Sequence, residues 1–196
     1  MRVAYEGGAS PASARLALAA LSDQGVRMKR FFLLAAVIFA LFAAVAAWGA
    51  SLPELQVVEA SASLDVDADS VFDALDDVST YPDWSHHVPD TAELAFGERT
   101  GVGATAAWSG AGVGSLEILQ SVPPELVLVS MQDGDASTVL TYALMEEGGK
   151  TLVVAREESE LGGFPYLARV RAKLTAGSEA EKMQTSLERL GARLQP

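Results

Sequence analysis

The stretch STVLTYALMEEGGKTLVVAREE, Ser137 to Glu158, decides the fold. Two runs rich in β-branched and apolar residues, Ser137–Met145 and Thr151–Glu158, flank Gly148-Gly149. Paired glycines between such runs read as a tight hairpin, because glycine supplies the backbone conformation that hairpin turns require. Leu140, Tyr142 and Leu144 share one face of the first strand. Leu152, Val154, Arg156 and Glu158 share one face of the second.

The same grammar extends towards the N-terminus. Candidate strands Ala92–Gly97, Ala104–Ser109, Ser115–Ser121 and Leu126–Met131 are separated by Gly101-Val102-Gly103, Gly110-Ala111-Gly112 and Pro123-Pro124, and Asp133-Gly134 leads into the hairpin above. Such short connections predict an antiparallel meander. Val57–Leu64 alternates apolar and polar residues and reads as an opening half-buried strand. Asp67 or Asp69 caps a short helix carrying Val71, Phe72, Leu75 and Val78, which ends near Ser79. Tyr81-Pro82-Asp83-Trp84 then turns the chain. Beyond Gly162-Gly163, Phe164 to Leu194 is helical in period. Its apolar stripe is Leu167, Val170, Leu174, Met183, Leu187, Leu190 and Leu194, and Gly177-Ser178 is a point where it kinks or divides. The predicted class is α+β: a curved antiparallel sheet whose concave face is covered by the one helix long enough to do so.

Charge divides the 196-residue chain. Up to Ala50 there are five basic residues (Arg2, Arg15, Arg27, Lys29, Arg30) and two acidic ones (Glu6, Asp23), a net of +3. The remainder holds nine basic and 24 acidic residues, a net of −15. Such a domain is repelled by phosphate backbones, so nucleic acid is not an expected partner. With no cysteine, disulfides, thiolate nucleophiles and cysteine-based metal sites are excluded.

Phe31 to Trp48 is uncharged and follows Arg27, Lys29 and Arg30. As a helix, such a run reaches about 27 Å, near the hydrocarbon thickness of a bilayer. The basic flank predicts a cytoplasmic N-terminus and an extracytoplasmic domain, anchored by a single transmembrane helix. The competing expectation is a signal peptide cleaved after Ala44-Val45-Ala46, which would release the domain. Met28 precedes a complete start for an exported protein, so 1–27 reads as a disordered tail or a start-site artefact. The expected organisation is 28–50 anchor, 51–56 linker and 57–196 domain.

Several patterns in order carry a family resemblance. They are Val71 to Trp84 with its Tyr81-Pro82 and Trp84, the glycine-led strand from Gly114 to Pro123-Pro124, the hairpin Gly148-Gly149-Lys150-Thr151, and the closing helix Ser186 to Leu194. From Gln56 to Gln195 the chain resembles the START/Bet v 1-like (SRPBCC) superfamily, in its bacterial polyketide cyclase/dehydrase-like branch. That resemblance implies a helix-grip fold with an apolar cavity between sheet and final helix. It also implies binding of a lipid-like, isoprenoid or aromatic small molecule. Catalysis does not follow from it.

On this reading the cavity candidates are Trp84, Trp108, Leu140, Tyr142, Arg156, Phe164 and Leu167, with Tyr166 a further aromatic near them. Arg156 would pair with a ligand carboxylate, or else with Glu157 or Glu158 near solvent. His86 and His87 are the only histidines. On extended backbone adjacent side chains diverge, so no shared metal is expected. A histidine titrating near 6.5 would sense pH. The acidic run Asp65, Asp67, Asp69, Asp73, Asp76, Asp77 lacks the glycine and terminal glutamate of a calcium loop. No catalytic residue, metal or cofactor is expected. The leading expectation is a membrane-tethered domain binding a hydrophobic small molecule. The alternatives are a polyketide cyclase or dehydratase, and a closed-core interaction module.

Overall fold

The computed structural model describes residues 35–110, 112–134, 136–160 and 165–195. The chain forms two units, Met1–Ala46 and Ala47–Pro196. Helix α1 covers 35–50. In its first-unit part Val37, Ile38, Phe39, Leu41 and Phe42 are all exposed. Among the described residues no helix is long and apolar enough to cross a membrane. The expected span starts at Phe31 and so begins outside the described residues, as does all of 1–27.

The second unit is a single seven-stranded antiparallel sheet with helices. The strands are β1 (Leu55–Leu64), β2 (Glu93–Phe96), β3 (Thr105–Ser109), β4 (Gly114–Val122), β5 (Leu126–Asp133), β6 (Ala136–Glu147) and β7 (Lys150–Glu160). Their order is β1-β7-β6-β5-β4-β3-β2, so the opening strand closes against the last. Each predicted strand is present, with ends moved by a few residues. The quoted hairpin pairs Glu147 with Lys150 and Leu140 with Glu157 across β6 and β7. Gly148 and Gly149 supply its positive φ values of 62° and 79°.

Between β1 and β2 lie α2 (Ala68–Asp76), a 3₁₀ turn (Val78–Thr80) and α3 (Tyr81–Trp84). The aspartates here do structural work. Asp67 accepts from the Ser70 N–H at 2.8 Å and caps α2, and Asp77 accepts from the Ser79 N–H at 2.9 Å and caps the 3₁₀ turn. Asp76 accepts from the Gly101 N–H (2.9 Å) and the Ser121 hydroxyl (2.6 Å), tying the helix to two strand connections.

Helix α4 (Pro165–Leu194) runs unbroken through Gly177-Ser178. Its buried stripe corrects the predicted one. Met183, Leu187 and Leu190 are buried as expected, but Leu174 and Leu167 are exposed and Ala172 is buried in their place. The inward row is therefore Ala172, half-buried Ala176, Ala180, Met183, Leu187, Leu190 and Leu194, at the 3–4-residue spacing of one helix face. Leucines fill the second half of the contact and alanines line the first.

Candidate functional site

Several of the expected cavity residues are packed into the core. Trp84, Leu140 and Tyr142 are buried on the inward face, and Trp84 meets Tyr142 edge-on with ring centroids 5.9 Å apart. The Tyr81 ring lies tilted against Trp84, with centroids 4.7 Å apart. Trp108 is buried too, seated over Gly114, where even a methyl group would collide with its ring. Of the expected cavity residues, Trp84, Trp108, Leu140 and Tyr142 are brought together as core. Phe164 lies outside the described residues, and Leu167 is on the exposed face of α4.

Arg156 does not point inward. On β7 the inward row is Thr151, Val153, Ala155 and Glu157, so Leu152, Val154 and Arg156 occupy the opposite face. A period of two makes the choice of face binary, and the apolar character of both rows hid it. Arg156 sits in solvent, paired with Glu158 at 2.7 Å and Glu59 at 3.3 Å.

One open space lies at the alanine-lined half of α4. A cleft of about 300 Å³ separates it from the start of β1. Leu52, Pro53, Leu55 and Val57 form one wall, and Ala172 and Ala176 the floor on the helix side. The cause is side-chain size: alanine at both inward helix positions leaves the width that leucine would fill. Three of its side chains carry hydrogen-bond donors, and one of them, Arg169, already donates to the Leu52 carbonyl at 3.4 Å. Gln56, Arg169 and Lys173 line it. The Gln56 Nε2 amide is buried without a partner among the described residues. Arg169 is largely buried, held by Glu54 at 2.8 Å and set 5.9 Å from the Tyr166 ring centroid. Arg169 is the interior-side cation that the sequence reading assigned to Arg156. No local signal marks it, because only the tertiary approach of β1 encloses it.

Another pocket, about 260 Å³, opens where the ends of β5, β6 and β7 face α4. The corner that builds it is written in Thr80 to Trp84. Thr80 Oγ1 donates to the Ala74 carbonyl at 2.7 Å and accepts from Trp84 Nε1 at 3.1 Å. The Tyr81 hydroxyl donates to the Leu75 carbonyl at 2.9 Å. The locked corner delivers His86 and His87 into a turn, not onto extended backbone. Their rings therefore lie side by side, centroids 3.8 Å apart and tilted by 38°, rather than diverging.

Across the pocket stands Glu157, the last inward residue of β7's apolar row. Its Oε1 accepts from the Ser159 hydroxyl at 2.8 Å, and its Oε2 lies 3.7 Å from His87 Nε2. Burial chiefly pushes both histidines down to about 4 and pushes the Glu157 carboxyl up. The direction for both histidines is thus away from the neutral range in which an imidazole would sense pH.

No family model matches the chain, and no curated protein matches it. Solved structures share the architecture. Protein CV1439 of Chromobacterium violaceum is 16% identical with a TM-score of 0.55, over 72% of this chain and 99% of that one. A Rhizobium leguminosarum protein is 18% identical with a TM-score of 0.54, over 72% and 95%. DynU16, from the dynemicin biosynthetic locus, is 15% identical with a TM-score of 0.51, over 71% of this chain and 47% of that one. The shared fold is helix-grip-like: an antiparallel sheet with a long C-terminal helix.

Proposed function

We propose that the chain is a START/Bet v 1-like binding module, tethered to a membrane through residues 31–48, that holds an amphipathic small molecule between β1 and α4. The observation that carries this reading is the cleft with apolar walls and three donor-bearing side chains, Gln56, Arg169 and Lys173. A ligand with an apolar body and an acceptor head, such as a carboxylate, complements both features. Burying the body contributes about 25 cal/mol per Å² of apolar area. Arg169 gives a charge-assisted contact to the head, and Gln56 gains the acceptor it lacks. The cleft volume of about 300 Å³ reaches the lower end of small-molecule sites. Leu52 and Pro53 line it only a few residues after the apolar run ends at Trp48, which favours capture of ligands from a bilayer.

The test is mass spectrometry of lipids extracted from the purified full chain. A copurifying acidic amphiphile, depleted in Arg169→Leu, is the expected result. The reading fails if nothing copurifies and no carboxylate-headed lipid binds on addition.

One observation favours the enzymatic alternative: the titratable His87–Glu157 pair faces a pocket. On that reading a cyclising or dehydrating activity on a polyketide-like substrate is lost in Glu157→Gln while ligand capture at the β1–α4 cleft persists.

A further inference from the structure

The His86, His87 and Glu157 cluster lies apart from the cleft assigned to the amphipathic ligand and has a chemistry of its own. We propose that it is a binding site for a single divalent transition-metal ion of the zinc class. One donor atom from each of the three residues lies within 4.8 Å of the others. Around a tetrahedral zinc with bonds of about 2.0–2.2 Å, donors sit roughly 3.3–3.6 Å apart. The His87 Nε2 to Glu157 Oε2 separation of 3.7 Å already approaches that spacing. Small side-chain rotations bring in the third donor.

The hydrogen bonds specify which atoms are free. Ser186 Oγ has one proton, and the Lys182 carbonyl stands 3.0 Å away to accept it. The same oxygen accepts from the His86 backbone N–H at 3.0 Å. With its proton so committed, it also accepts from His86 Nδ1 at 2.9 Å. Nδ1 then carries the ring hydrogen, and Nε2 presents a bare lone pair. His86 Nε2 and Glu157 Oε2 are both buried with no hydrogen-bond partner among the described residues. Two unpaired buried acceptors facing one space are uncommon in a finished core. A cation satisfies both at once.

The supporting groups have the form of an outer coordination layer. Ser186 orients the His86 ring. Ser159 donates to Glu157 Oε1, and Thr138 meets Ser159 at 2.9 Å. Ligands come from the turn after α3 and from β7, and the orienting serine from α4, so three packed elements fix them. Two imidazoles and one carboxylate suit zinc, with cobalt and nickel as surrogates, rather than calcium or magnesium. Asp133 and Glu179 add negative charge at the pocket. Lys182, the opposing cation, is engaged by Glu179 at 2.9 Å. The remaining pocket space leaves a coordination position open to water or a ligand.

The test is cobalt titration of the chelator-treated full chain, read by visible absorption, with zinc competing. The expected result is a tetrahedral cobalt spectrum that saturates at one ion per chain with Kd of about 1 μM or tighter and is displaced by zinc. Glu157→Gln and His86→Gln, each with unchanged circular dichroism, should weaken binding by roughly 100-fold or more. Ser186→Ala, a positioning change, should weaken it by roughly tenfold and shift the spectrum. Glu179→Gln should keep the stoichiometry. The proposal is overturned if the unaltered chain binds no cobalt at about 50 μM, or if its spectrum is the same in Glu157→Gln.

Discussion

Burial keeps His86 and His87 neutral, and this has a measurable cost in acid. In the unfolded chain a histidine takes up its proton near 6.5, whereas in the folded chain both resist to about 4. Between those values the unfolded state binds more protons, so stability falls as pH drops from about 6.5 towards 4. Each histidine contributes at most a tenfold change in the unfolding equilibrium per pH unit. Glu157 acts with the opposite sign, because its raised pKa lets the folded state take a proton first, and it offsets part of this loss. Glu179 and Lys182 also face the cluster, one favouring and one opposing the charged histidines. In metal-free protein, urea midpoints measured from pH 8 to pH 4 should decline more steeply for the unaltered chain than for the His86→Asn, His87→Asn double variant. Equal slopes would contradict the burial account. The histidines were visible in the sequence but their geometry was not. Adjacent side chains diverge on extended backbone, and nothing local announces that Ser186, a hundred residues away, pins this pair in a turn. Arg156 and Arg169 teach the same lesson: which of two strand faces turns inward, and which helix face meets β1, are tertiary facts.

At the scale of elements, the α2–3₁₀–α3 corner and α4 position both pockets. The corner was legible because its cues are local: an aspartate cap, an apolar helical period, then Tyr81-Pro82. Its internal wiring was not, since Thr80 serves two partners at once. Thr80→Val keeps the shape but strands the Trp84 N–H and the Ala74 carbonyl. The expected loss is about 1–3 kcal/mol in denaturant unfolding. A stability unchanged within 0.5 kcal/mol, about the ordinary surface-substitution range, would show that the hydrogen bonds are not what holds the corner. The strands were legible almost to their ends, because Gly and Pro punctuate each connection and β-branched residues fill the runs. The α4 stripe was legible in its second half only. Leucine drew the eye to Leu167 and Leu174, while the contact is made by alanines, which carry little hydrophobic signal. Those same alanines open the cleft.

At the scale of the molecule, a strongly acidic second unit follows a basic, apolar N-terminal segment, and Arg169 and Lys173, four residues apart on one face of α4, both line the cleft. Two cations at one cleft of an otherwise anionic domain are the electrostatic basis of the proposed preference for an acidic head group. The whole architecture then serves one arrangement: a sheet closed by its first strand, a helix laid against that strand, and a gap where the helix is thin. The most direct measurement is a fluorescence titration of the full chain with a carboxylate-headed fatty-acid probe, alongside Ala172→Trp and Arg169→Leu. Saturable binding of one probe per chain, abolished by the cleft-filling tryptophan and weakened roughly tenfold or more by loss of the guanidinium, is the expected result. Saturable binding that both substitutions leave intact, or no binding at all, would contradict it.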